Sequence, residues 1–379
     1  MRKSITSLVA LALLLGLAAC GGDSVPASVS TTAILATAPI TTAPPTTAPP
    51  TTVPPEPGEI YLYGEAHGVE LLIHREFELW HDHYHNDGMR HLFIEFDYYI
   101  AEFINMWMQA DNDDILEMIF EESAQTASSN PFNWVFFQRV KAECPETVFH
   151  GTDVGHFHFS IGPKYLDYLI ENGLMLSEPY KLAIKCIEQG KEYGKQYGKQ
   201  DNQTETYREN AMVENFIHAF DALEGESIMG IYGAAHTGLD SLDFTGEVDC
   251  MATQLVSIYG DRVHSLDLRT LEEPLRVDTI TVAGKEYQAS YFGVSMIGSY
   301  MPELVSLTVW RLEDAYEDFK GNPATNMGES LDAFFRPLEE GQVFVIDHTD
   351  AEGHVERRYA RSDGDTINGE PLVMYFTLS

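Results

Sequence analysis

The chain is poor in positive charge and in cysteine. Against 59 Asp and Glu it carries only 23 Lys and Arg, a formal net charge of −36. A field of that sign repels phosphate backbones and anionic headgroups, which excludes nucleic acid and charge-driven membrane binding. It suits a soluble extracytoplasmic protein and ligands that are cationic or metal-bearing. Besides Cys20 there are only Cys144, Cys186 and Cys250, an odd number with irregular spacing. Neither a disulfide scaffold nor a zinc cluster is built that way. The three read as buried thiols, with one disulfide and a free thiol as the alternative. Gly-x-Ser-x-Gly, His-Glu-x-x-His, a phosphate loop and a dinucleotide fingerprint are all missing. A serine-esterase mechanism therefore has no support.

Long apolar runs are also scarce. The run from Ile5 to Leu17 follows Arg2 and Lys3 and is short of the roughly 20 residues that span a bilayer. Leu17-Ala18-Ala19-Cys20 then resembles a bacterial lipobox. Residues 1–19 are predicted to be a lipoprotein signal peptide, with an ordinary cleaved signal as the alternative. Lipidation of Cys20 would hold the protein at the extracytoplasmic face of the membrane by one anchor, without spanning it. Residues 20–58 form a Thr/Pro-rich linker with the repeats Thr41–Pro45, Thr46–Pro50 and Thr51–Pro55. With no apolar face to bury, it favours extended polyproline II. At about 3.1 Å per residue it reaches up to roughly 100 Å.

From residue 59 to 273, short apolar runs alternate with helical stretches, which predicts an α/β fold with a mostly parallel central sheet. The strand candidates are Glu59–Tyr63, His91–Glu95, Thr147–His150, Ser227–Tyr232 and Arg262–Leu266. Helices are expected over Val69–His85, Ile100–Met108, Ile115–Glu121 and Phe132–Lys141. The insert Pro163–Leu223 reads as wholly helical and able to form a cap. Residues 274–379 change texture and predict a β-rich C-terminal subdomain, or an extension of the main sheet. Its strand candidates are Thr279–Val282, Glu286–Phe292, Val305–Trp310, Gln342–Ile346, Arg357–Arg361 and Met374–Leu378, with a helix around Leu331–Phe335.

Polar residues collect where the first four strand candidates end. Glu65 and His67 follow the first strand, Glu95 ends the second, Asp153 and His156 follow the third, and His236 follows the fourth. In an open parallel sheet, ligands sit outside the carboxyl ends of strands, so these tips should converge on one crevice. A histidine near its ordinary pKa activates water at neutral pH when a carboxylate orients it. Imidazole with carboxylate also suits zinc, manganese or iron, and His67, Glu95 and His236 are the candidate ligands of a divalent transition metal. Asp97 reads as a helix N-cap. His81 and His85, four apart, read as a solvated helix end; His156 and His158 beside Phe157 and Phe159 read as a packed loop rather than a haem-facing edge. His218 reads as a core or boundary histidine.

Four motifs then appear in a known order: Gly64-Glu65-Ala66-His67-Gly68, Glu95, the run Tyr207 to Asn215 containing Arg208-Glu209, and Gly233-Ala234-Ala235-His236. Over roughly residues 59–267 the chain resembles the erythromycin esterase-like superfamily, which also holds TraB/Tiki-type proteins and haem-binding ChaN lipoproteins. The resemblance implies a sheet-centred α/β fold with helical subdomains. It implies that His67 is a base or metal ligand, that Glu65 and Glu95 support it, and that His236 is a second imidazole. Arg208 would hold a carboxylate or stabilise an oxyanion. Glu209 stands where the esterases usually carry Asp, and Gly-Ala-Ala-His is closer to the Tiki-type version, which speaks against specific macrolide hydrolysis. The resulting expectation is a surface-anchored hydrolase of an ester, lactone or amide, acting on a small molecule or peptide through activated water, either free or metal-bound. The alternative is a haem- or metal-binding lipoprotein without turnover.

Overall fold

The computed structural model describes residues 58–124, 126–196, 203–271, 273–298, 305–330, 338–367 and 370–378. The signal peptide, nearly all of the linker and the helix expected at Leu331–Phe335 lie outside the described residues. Among the described residues no helix is long and apolar enough to cross a membrane.

Five strands form the central sheet: β1 (Ile60–Glu65), β2 (His91–Asp97), β3 (Val148–Asp153), β4 (Ile228–Gly233) and β5 (Val263–Asp267). Their spatial order is β3-β2-β4-β1-β5 and every pairing is parallel. Such strands are covered on both faces, which is why they read as apolar runs rather than as alternation. The alternation survives in which face each residue serves. Tyr63, Leu92, Ile94, Met229 and Ile231 pack on one side with Phe77, Trp80 and Trp107. Ile60, Leu62, Phe93, Ile228 and Tyr232 pack on the other with Met212, Phe216, Met251 and Leu255.

The first side is built by α1 (Glu70–Asp82, continued by a π turn to Asp87), α2 (Tyr98–Met108), α3 (Asp114–Glu122) and α4 (Pro131–Glu143). The predicted insert is three helices, α5 (Ile161–Glu171), α6 (Glu178–Gln196) and α7 (Gln203–Asp221). Met212 and Phe216 bring α7 onto the second face of the sheet, beside α8 (Met251–Tyr259), which the sequence did not announce. His218 turns out exposed, because it lies on the face of α7 opposite Phe216 and Phe220. The three cysteines Cys144, Cys186 and Cys250 are buried free thiols.

The C-terminal part is a separate antiparallel sheet, not an extension of the first. Its strands are β6 (Arg276–Val282), β7 (Lys285–Met296), β8 (Ser306–Leu312), β9 (Ala324–Ser330), β10 (Val343–Thr349), β11 (Val355–Arg361), β12 (Thr366–Ile367) and β13 (Glu370–Phe376), with the one-turn α9 (Tyr316–Phe319) between β8 and β9. They lie in the order β12-β13-β11-β10-β8-β7-β6, with β9 on β13. This sheet meets the first domain at the segment just after His67. Met296 N donates to Gly68 O at 2.9 Å, and Val69 bridges Ser295. Glu70 accepts from Val294 N at 2.9 Å and from the Tyr291 hydroxyl at 3.0 Å. Gly293 makes that approach possible: its φ of 90° suits glycine, and a Cβ there would sit 3.0 Å from Glu70.

A second close approach sets the loop after β3. A Cβ on Gly190 of α6 would lie 1.8 Å from the carbonyl oxygen of Gly155. Backbone cannot yield as a flexible side chain does, so α6 and the Asp153–His156 loop would have to separate. Gly190→Ala is therefore expected to destabilise the fold by about 1–3 kcal/mol, read as a lower urea midpoint at unchanged slope.

Candidate active site

The in-register pairing of β1 with β4 sets Glu65 opposite Gly233, so the two histidine-bearing tips are neighbours across one ladder. β2 flanks β4 and β3 flanks β2, so Glu95 and Asp153 end on the same edge. β1 and β3 run past their expected ends, so Glu65 and Asp153 are in-strand residues, and β2 runs on from Glu95 to Asp97.

Glu65 is buried, and its carboxylate holds His67 Nδ1 in a short hydrogen bond. The His67 side chain keeps 37% of its exposure, and Nε2 lies 3.9 Å from Glu95 Oε1. The Glu65 charge, with a smaller part from Glu95, overrides burial and raises the His67 pKa to about 10.

Glu95 is the hub. Its Oε2 accepts from Gly233 N at 2.5 Å and its Oε1 from Arg208 Nη2 at 2.5 Å. Burial works against its ionisation, but His236, Arg208 and His67 outweigh burial and hold the carboxyl at about 2. Asp153 takes the same guanidinium bidentately, from Nε at 3.0 Å and Nη2 at 2.6 Å. Its Oδ2 also meets His156 Nε2 at 3.0 Å. Against burial, Arg208 and His156 keep Asp153 well below the usual carboxylate range. Burial lowers the His156 pKa, yet Asp153 and then Asp97 raise it overall.

His236 is buried, with Nε2 lying 3.6 Å from Glu95 Oε1 and 3.3 Å from Arg208 Nη1. Its Nδ1 is held by Glu209, whose other oxygen accepts Met251 N at 2.8 Å from the start of α8. Burial opposes its protonation, and the Glu95 and Glu209 carboxylates raise its pKa regardless.

The structure thus brings His67, Glu65, Glu95, His236, Arg208, Asp153 and His156 into one connected network. The structure resolves several expectations in detail, and the cap expected at Asp97 is the one that changes. Arg208 spends Nε and Nη2 on Asp153 and Glu95, so its charge balances buried carboxylates rather than waiting for an oxyanion. Asp97 occupies the N-cap position of α2 without capping it; its Oδ2 accepts Phe157 N at 2.8 Å and ties β2 to the Asp153 loop. His158 turns to the Gly155 carbonyl at 2.9 Å, as a packed loop requires. His81 and His85 lie with their rings tilted against each other near the exposed Glu143, away from the network.

Two residues of the site escaped the sequence reading. Glu209 follows Arg208 and was legible only as a family difference. Glu76 lies on the buried face of α1 among Ile73, Phe77 and Trp80, and is 4% exposed. An acid at the apolar spacing of an amphipathic helix was the available signal.

A cavity of about 50 Å³ opens beside the network, lined by Glu65, His67, Glu76, Glu95, Asn133 and aromatic side chains. As a metal ligand set, His67, Glu95 and His236 fit poorly. Glu95 offers its oxygens to a guanidinium and a backbone N–H, and the Arg208 cation lies where a metal charge would compete. Among the described residues, the His/Cys/Asp/Glu group whose donor atoms lie within 4.8 Å of one another is the turn of Asp350, Glu352 and His354 instead. The cavity is also far too small to enclose a haem.

These shifts set a pH dependence of stability. His67 goes from an ordinary 6.5 to about 10, so its stabilising share is complete below about 6.5 and lost as pH rises through 10. Glu95 goes from 4.5 to about 2, so its share is present above about 4.5 and lost as pH falls through 2. Water at the partly exposed His67 reduces the gain. Urea midpoints should fall between pH 6.5 and 10 in the wild type and fall less in His67→Gln. Parallel curves would show that His67 is not held protonated.

No family model matches the chain, and no curated protein matches it. Solved structures with some likeness include a succinoglycan biosynthesis protein (10% identity, TM-score 0.42, 55% of this chain and 65% of that one), so this chain spans just under two thirds of that protein. An erythromycin esterase mutant in its open conformation is similar at 10% identity and TM-score 0.43, over 67% of this chain and 82% of that one. A Bacillus cereus protein is similar at 10% identity and TM-score 0.43, over 85% and 86% of the two chains. These likenesses do not bear on the chemistry, which rests on the side chains described above.

Proposed function

We propose that the protein is a hydrolase that cleaves an ester, lactone or amide by water attack, with His67 as the proton carrier. The observation that supports this reading is the imidazole held by Glu65 through Nδ1, its Nε2 turned toward Glu95 at the cavity. In the neutral form Nε2 takes a proton from water as the water oxygen bonds to the carbonyl carbon. The imidazolium, stabilised by Glu65 and Glu95, then gives that proton to the leaving oxygen or nitrogen as its bond to carbon breaks. Glu95 is fixed by Gly233 N and Arg208, and His236 by Glu209, so the site needs little reorganisation. The small cavity favours a substrate that inserts one group and leaves the rest outside. A lipid anchor at Cys20 and a linker over residues 20–58 belong to the same proposal and place the site at the extracytoplasmic membrane face.

A panel of nitrophenyl esters, lactones and peptides tests the reading. On any substrate turned over, His67→Ala and Glu65→Gln should each lower kcat/KM by about 10²–10⁴-fold. Because neutral His67 is a minority species, wild-type kcat/KM should climb from pH 7 toward 10. Unchanged turnover in both variants would refute the mechanism.

A further inference from the structure

We propose that Glu76 is the specificity-determining residue of this site, and that the cavity takes a primary ammonium group carried by the substrate. The inference deepens the hydrolase reading and rests on it. Glu76 Oε1 is buried without a hydrogen-bond partner, while the side chain lines the same cavity as His67. A buried acceptor left unmade is costly, and such a group persists where a ligand satisfies it. The other acids of the cavity are committed: Glu65 to His67, and Glu95 to Arg208 and Gly233 N. Among the described lining residues the cationic group is the His67 imidazolium, which is committed to Glu65, while Arg208 lies outside the lining and is committed to Asp153 and Glu95.

The lining selects the donor. Asn133 gives its Nδ2 to the Ser128 carbonyl, which leaves its Oδ1 as a second acceptor. Phe96 and Phe137 supply ring surface, which attracts a cation more than a neutral hydroxyl. The volume admits a few heavy atoms, the size of an ammonium head on its first methylene. Without such a ligand, burial and the nearby Glu65 charge raise the Glu76 pKa well above the carboxylate range. An incoming ammonium supplies the charge that lets it ionise. An amino terminus, a lysine side chain or an amino sugar would all present this chemistry near a scissile carbonyl.

The test uses full-length protein and n-butylammonium, with n-butanol as the neutral control, followed by calorimetric titration. Wild type should bind butylammonium about tenfold or more tightly than butanol, and Glu76→Gln should erase that preference. Glu76→Leu, similar in volume, should do the same, and both variants should melt at or above the wild-type temperature. Equal preference in wild type and Glu76→Gln, or no butylammonium binding to wild type, overturns the proposal. Turnover is read separately with His67→Ala: lost binding leaves the hydrolase reading standing, and absent hydrolysis leaves the binding result standing.

Discussion

The buried guanidinium of Arg208 is the constraint on which the site depends. A charge taken out of water is tolerated only when it is paired and hydrogen-bonded. Here Asp153 from β3 and Glu95 from β2 share it, and His236 after β4 lies against its third nitrogen. One side chain on α7 therefore fixes three strand ends relative to one another. Removing it would leave two buried carboxylates without their shared cation, a loss of about 3–5 kcal/mol for a broken buried pair.

That interaction divides the site into a rigid half and an open half. On the rigid side, His236 is locked by Glu209, and Glu209 in turn by the first N–H of α8. On the open side, His67 keeps one nitrogen toward the cavity and remains partly exposed. Between them Glu95 touches both, so a proton moving at His67 is felt by a carboxylate whose position cannot drift. The C-terminal sheet adds a second restraint, because β7 is hydrogen-bonded to Gly68 and Glu70 on either side of Val69. The peptide that presents His67 is thus held from both ends, by β1 and by β7.

Much of this was legible from residues alone. Five apolar runs fell on the five parallel strands, and the strand-end acids and histidines lie in one network, because burial on both faces leaves polar groups no place but the tips. Boundaries were less legible: the strands run on through Glu65, Asp97 and Asp153, since ladder hydrogen bonds do not require apolar side chains. Which of its two implied roles Arg208 takes was not legible either. Its partners lie 55 and 113 residues away, and no local pattern tells a guanidinium which carboxylates it will meet.

The amino-acid sequence by itself determined the class of fold, the residue types at each strand end and the acidity of the whole, since these follow from local periodicity and composition. The tertiary structure decided the order β3-β2-β4-β1-β5, and with it everything chemical. That order makes β1 and β4 neighbours, sets Glu65 opposite Gly233, and brings Glu95 within reach of Arg208. It also turned Glu76 from a helical acid into an unpartnered group beside His67. Charge and hydrogen-bond energies depend on distances across the sheet, and those distances exist only once the strands are paired.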